Sequence, residues 1–164
     1  MHIDRTEKTF FMFSAALIVV FAIAVGISGL VYGIALPTPP EGFDVNPQTV
    51  ATPGVSPWGE QPAEARLHEL VPGKEYEVYL LAQTWTFLPN RITIPAGAKL
   101  TFYVTSKDVL HGIRVDGTNI NMMVIPGEVS KLAATFDEPG TYNFVCHEYC
   151  GAGHHTMYGQ VIVE

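Results

Sequence analysis

From Phe10 to Leu36 the chain runs 27 residues without a charged side chain. A stretch of this kind has few structural options. In hydrocarbon every backbone amide must find its partner within the segment, which a helix provides. At about 1.5 Å per residue the run reaches about 40 Å, more than the ~30 Å apolar core of a bilayer. A cleavable signal peptide competes with this reading, because Arg5 and Lys8 precede the run. The apolar region of a signal peptide is only about 7–15 residues long, however. A single retained transmembrane helix over 10–36 is therefore expected. The next cation after it is Arg66. Positive charge stays inside, so residues 1–9 are expected in the cytoplasm and everything after the helix outside the cell membrane, on the periplasmic or extracellular side.

The rest of a 164-residue chain is enough for one small domain. Residues 37–72 read as a linker and lead-in, broken by Pro37, Pro39, Pro40, Pro47, Pro53, Pro57 and Pro62. Within them 67–71 is too short to assign. From 73 to 164 the pattern is β: short β-branched and aromatic runs at 76–82, 91–94, 99–104, 129–136, 141–145 and 159–163, with Pro-Gly or Pro-Ala-Gly turns between them. This predicts an all-β fold, a Greek-key sandwich preceded by one helix.

Both cysteines fall in one dodecapeptide, 146–157, which reads Cys-His-Glu-Tyr-Cys-Gly-Ala-Gly-His-His-Thr-Met. Thiolate with imidazole suits copper, zinc or iron, and the thioether of Met157 narrows the choice toward copper. A mononuclear copper loop needs one cysteine. Here Cys150 adds a second sulfur, enough to bridge two metal ions. Such a pair still needs nitrogen from elsewhere, and His111, at the end of a strand-like stretch, can supply it. Gly151 and Gly153 allow the backbone to turn tightly before His154. Two bland readings compete: a disulfide between the cysteines, which an oxidising compartment favours but which leaves His154 and Met157 unexplained, and a zinc site, for which methionine is a poor ligand. His147 and His155 adjoin proposed ligands and are expected to point away from the metal. His2 and His68 stand apart from other ligands and are expected to be ordinary solvated histidines.

Val109-Leu110-His111-Gly112, followed by Cys-x-Glu-x-Cys-Gly-x-Gly-His-x-x-Met, resembles the CuA domain of subunit II of haem-copper cytochrome c oxidases over about residues 75–164. The single apolar helix is more like the B-type (ba-type) enzymes. The resemblance implies a cupredoxin fold with dinuclear copper: Cys146 and Cys150 bridging, His111 on one copper and His154 on the other, Met157 and the Glu148 carbonyl as weak ligands. It also implies a relay role, with electrons accepted from a c-type cytochrome and passed to the haem of oxidase subunit I, the partner in which oxygen is reduced and protons are moved. Trp85 and Phe87 occupy the place where such proteins carry aromatics near the donor surface, although a pair filling the core reads equally well. Met122 and Met123 lack a companion His or Cys and are expected to be packing residues. The CuA subunit of another reductase, such as nitric oxide reductase, and a membrane-anchored copper-delivery protein are the alternatives.

Beyond residue 40 the chain carries 14 acids and 7 Lys or Arg, a net of −7. That balance excludes an electrostatic nucleic-acid binder and suits steering of a basic protein donor.

Overall fold

A computed structural model describes residues 4–31 and 45–164. His2, residues 32–36 of the expected apolar span and the first part of the expected linker lie outside the described residues. The chain divides into two compact units, one containing the N-terminal helix and the other everything from Leu36 onward.

Helix α1 spans Arg5–Val31 and buries no residue. It begins five residues before the uncharged run, and the cause is a capping box. The Asp4 carboxylate accepts the Thr6 amide, while Glu7 reaches back to the Asp4 amide, both at 3.3 Å. With apolar side chains on every side and none of its described residues buried, the helix fits a membrane anchor by length and composition.

Among the described residues the second unit is a sandwich of ten strands: β1 Leu67–Val71, β2 Glu75–Gln83, β3 Thr86–Leu88, β4 Arg91–Ile94, β5 Ala98–Ser106, β6 His111–Val115, β7 Asn121–Val124, β8 Ser130–Phe136, β9 Gly140–Val145 and β10 Tyr158–Val163. One sheet runs β1-β2-β5-β8 with β3 beside β2, and the other runs β4-β10-β9-β6-β7. The pairs β2/β5 and β4/β10 are parallel. Burial alternates along β4 and β10, as a half-buried strand requires. The inward residues, among them Leu80, Phe87, Leu100, Phe102, Ile113, Phe144 and Val161, form one core between the sheets. Each such side chain stabilises the fold by about 1.5–3 kcal/mol relative to exposure.

A smaller second cluster gives the lead-in its role. Val50 and Trp58 bury against Tyr79, Leu81 and Val129, and the Trp58 indole donates to the Tyr103 carbonyl at 3.1 Å. Of the described prolines, Pro47 and Pro53 sit in turns, Pro57 opens a short 3-10 segment and Pro62 precedes another, all places that tolerate a missing amide. Arg66 is buried and donates to the carbonyls of Glu60 and Leu88. His68 is not simply solvated: it lies 2.8 Å from the Glu60 carboxylate and 3.6 Å from that of Glu77. Met122 packs in the core and Met123 faces outward.

Register places the ligand candidates together. β6 and β9 are antiparallel, with Arg114 opposite Val145. Continuing that ladder carries His111 alongside the residues that follow Val145. His111 therefore opens β6, where the sequence reading has it closing a strand-like stretch.

Candidate metal centre

The segment 146–157 connects β9 to β10 and is closed at its base by the Cys146 amide donating to the Met157 carbonyl at 3.0 Å. Inside it, Gly151 has φ of +115°, a conformation that strains any side chain. A 3-10 turn at His154–Thr156 follows, pinned by the Thr156 hydroxyl on the Gly153 carbonyl. These turns aim sulfur and nitrogen atoms inward.

The donor atoms converge. The two Sγ atoms, both of free thiols, stand 3.9 Å apart, well beyond the ~2.05 Å of a disulfide. His111 Nδ1 lies 3.9 Å from Cys146 Sγ, and His154 Nδ1 lies 3.5 Å from Cys150 Sγ. Met157 Sδ is 3.7 Å from Cys150 Sγ, and the Glu148 carbonyl oxygen is 3.2 Å from Cys146 Sγ. Every atom proposed from the sequence as a ligand is thus in the cluster. His111, Cys146 and Cys150 are all buried, and their ligand atoms fall within 4.8 Å of one another. Soft sulfur and imidazole, collected in an apolar pocket, fit a copper site.

Ionisation follows from this packing. Burial pushes the Cys146 thiol up, but hydrogen bonds from His111 and the Gly112 amide outweigh it, and the net shift is down. Burial, and then the charge of Cys146, push Cys150 up. One thiolate forms readily and opposes the second. Burial works against an imidazolium at His111, yet the hydrogen bonds to Cys146 and Asp108 prevail and raise its affinity for a proton.

Two residues absent from the sequence reading complete the site. Asp108 Oδ1 accepts from His111 Nε2 at 2.8 Å, which leaves Nδ1 to face the sulfurs. Burial alone would raise the Asp108 carboxyl. Hydrogen bonds from His111, from the Thr84 amide and hydroxyl, and from the Val109 amide instead hold it down at about 2. An acid three residues before a candidate ligand is a signal the sequence does contain. Thr84, 24 residues before Asp108, gives none.

The aromatic pair separates. Phe87 is fully buried and packs edge-on against Phe144, so it belongs to the core. Trp85 is 45% exposed, and its indole N–H donates to the Cys150 carbonyl at 3.2 Å. His147 and His155 are exposed. The His147 ring lies against Gly112, so closely that a Cβ there would overlap it.

Comparison with known proteins agrees with the geometry. Residues 74–164 match the family described as cytochrome C oxidase subunit II, periplasmic domain. The chain is 41% identical over 163 residues to a cytochrome c oxidase subunit 2 of Thermus thermophilus, covering 96% of this chain and 91% of that protein. It is 38% identical over 93 residues to heme-copper oxidase subunit 2 of Aeropyrum pernix, covering 56% of this chain and 39% of that protein. A chain from a haem-copper terminal oxidase dimer solved by cryo-EM superposes with a TM-score of 0.77 at 35% identity, covering 98% of this chain and 100% of that one. The periplasmic domain of cytochrome oxidase subunit II from Bradyrhizobium japonicum shares the fold, with a TM-score of 0.51 at 18% identity over 54% of this chain and 83% of that one. With these matches to its β-sandwich and its apolar helix, the chain belongs to the cytochrome c oxidase subunit II family of haem-copper terminal oxidases.

Proposed function

We propose that the chain relays single electrons through a dinuclear copper centre held by Cys146, Cys150, His111, His154, Met157 and the Glu148 carbonyl. The observation that carries this reading is the pairing of donors: two sulfurs 3.9 Å apart, each with its own imidazole Nδ1 at 3.9 or 3.5 Å. A single zinc ion could take two cysteines and two histidines, but it would leave unused the Met157 thioether that stands 3.7 Å from Cys150 Sγ. Two copper ions sharing both thiolates would supply a one-electron couple whose charge change is spread over both metals.

The chain's own residues supply the rest. Asp108 fixes the His111 tautomer, so that imidazole need not turn between oxidation states. Burial of His111, both cysteines and Met157 keeps water from the sulfurs. Trp85 is the proposed entry point, because a hydrogen bond leads from its exposed indole to the backbone of bridging Cys150. Phe87, inside the sandwich, supports that edge and does not meet a donor.

The donor is a c-type cytochrome and the acceptor the haem of oxidase subunit I, where oxygen is reduced to water with proton translocation. Around the ligand loop Trp85, Val109, Leu110, Ile125 and Tyr149 are exposed. An apolar collar of this kind favours close contact, while the net −7 beyond residue 40 steers a basic donor from a distance. Residues 1–9 lie in the cytoplasm, 10–36 cross the membrane, 37–72 lead in, and 73–164 form the copper domain outside.

The test is rapid mixing of the assembled oxidase with a reduced c-type cytochrome while the copper band and the haem of subunit I are followed separately. The relay predicts that the copper band bleaches before the haem is reduced. Haem reduction with an unchanged copper band would exclude it, and copper stripped by a mild Cu(I) chelator would favour delivery over relay.

A further inference from the structure

We infer that the turn Thr84–Trp85 is a two-armed brace that holds the two halves of the ligand set in register. Thr84 positions His111, and Trp85 positions the segment from Cys150 to His154. The inference rests on the copper reading above and extends it to residues that touch no metal.

The first arm ends on a saturated carboxylate. Asp108 Oδ2 accepts the Thr84 amide at 2.7 Å and the Thr84 hydroxyl at 2.8 Å. Its other oxygen accepts the Val109 amide at 2.7 Å and His111 Nε2 at 2.8 Å. With four donors on two oxygens the carboxylate cannot rotate, so the plane of the His111 ring is set from the β2–β3 turn.

The second arm ends on the ligand loop. The indole donates to the Cys150 carbonyl and lies close against the glycines beyond it. A Cβ on Gly151 would stand 3.0 Å from the indole nitrogen, and one on Gly153 only 2.5 Å from a ring carbon. Gly153 has φ of −90°, which any residue adopts. Its lack of a side chain therefore answers to the indole and not to the backbone.

The arms are adjacent residues. Gln83 pairs with Thr86, which leaves Thr84 and Trp85 as the whole of a two-residue hairpin turn. The Lys107 amide donates to the Ala82 carbonyl at 2.9 Å, fixing the base of that turn to the loop that carries Asp108. Displacing either residue moves the other, and with it the opposite half of the site.

The test uses the full chain in detergent, loaded with copper, with Thr84→Val, Thr84→Ser, Trp85→Phe and the Thr84→Val/Trp85→Phe double variant. Copper loss to a chelator and electron–nuclear double resonance on chains carrying 15N-histidine are the readouts. Thr84→Val is expected to speed copper loss by about tenfold, the lower end for groups that orient metal ligands. It should shift one imidazole coupling, and Trp85→Phe should shift mainly the other. Thr84→Ser should restore the wild-type values, which a mere packing role would not require. In the double variant the two effects should depart from their product. Unchanged couplings and copper loss in Thr84→Val, with both couplings present in the wild type, would overturn the brace alone, as would effects that simply multiply. A wild-type chain lacking two imidazole couplings would overturn the copper reading and the brace with it.

Discussion

The two imidazoles of this centre are held in opposite ways. His111 opens a strand, is fully buried, and has both ring nitrogens engaged, one by the Asp108 carboxylate and the other against Cys146. His154 stands on a single 3-10 turn, half-buried, with Nδ1 against Cys150 and the Tyr149 ring 6.0 Å away. Among the described residues no hydrogen bond holds its Nε2. One half of the centre is therefore built by the sheet. The other depends on loop geometry, on two glycines and on the indole that covers them. A relay needs a site that changes shape little with each electron, and the buried half provides that rigidity. The loop half is the one that substitution should disturb most easily without unfolding the domain.

The largest effect removes what the halves share. Cys146→Ser or Cys150→Ser is expected to abolish the dinuclear centre, leaving at most one copper per chain, as metal analysis and paramagnetic resonance would show. The comparison itself is sharpened by truncating each imidazole in the metal-free chain. His111→Ala should lower unfolding free energy by about 1–3 kcal/mol, because it opens a cavity and strips Asp108 of a donor. His154→Ala should stay within about 0.5 kcal/mol of the wild type. Equal losses in chemical denaturation would erase the distinction.

The thiols give a pH dependence of known sign. Cys150 is raised by burial and by the Cys146 charge, so it keeps its proton at neutral pH and a metal must displace it. Apparent copper affinity should climb as pH rises through the neutral range, by about tenfold per unit for one displaced proton. Competition titrations with a chelator would reveal a flat profile if the thiol were already ionised. Met157→Leu should keep copper and shift the potential measured by voltammetry, since only a weak ligand is lost. Smallest of all, His155→Ala should leave the spectrum unchanged. Loss of the dinuclear signal in that variant would make His155 the ligand in place of His154.

The ligand candidates were legible because their chemistry is local. Five of the six lie within twelve consecutive residues, where residue type and spacing speak for themselves. The strands β2, β4, β5, β8, β9 and β10 were legible for a similar reason, since each is a run rich in β-branched, aromatic or other apolar residues next to turn residues. β3 was not, being three residues long; β7 reads Asn-Met-Met-Val, with a single β-branched residue, and β6 reads His-Gly-Ile-Arg-Val, a pattern that Gly112 and Arg114 interrupt. The supports of the site were hidden because they are tertiary. Thr84 meets Asp108 only after β2 pairs with β5, and Trp85 reaches Cys150 across 65 positions of sequence. The early start of α1 was within reach, since Asp4 and Glu7 have the spacing of a capping box.

The relay proposed for this chain turns on two copper ions sharing the two thiolates of Cys146 and Cys150. Its most direct test is electron paramagnetic resonance on the copper-loaded full chain in detergent, with the metal quantified on the same sample. A dinuclear centre gives two coppers per chain and the seven-line pattern that one electron shared equally by two spin-3/2 nuclei produces. A single copper with a four-line pattern, or copper that is silent in every oxidation state, would contradict it.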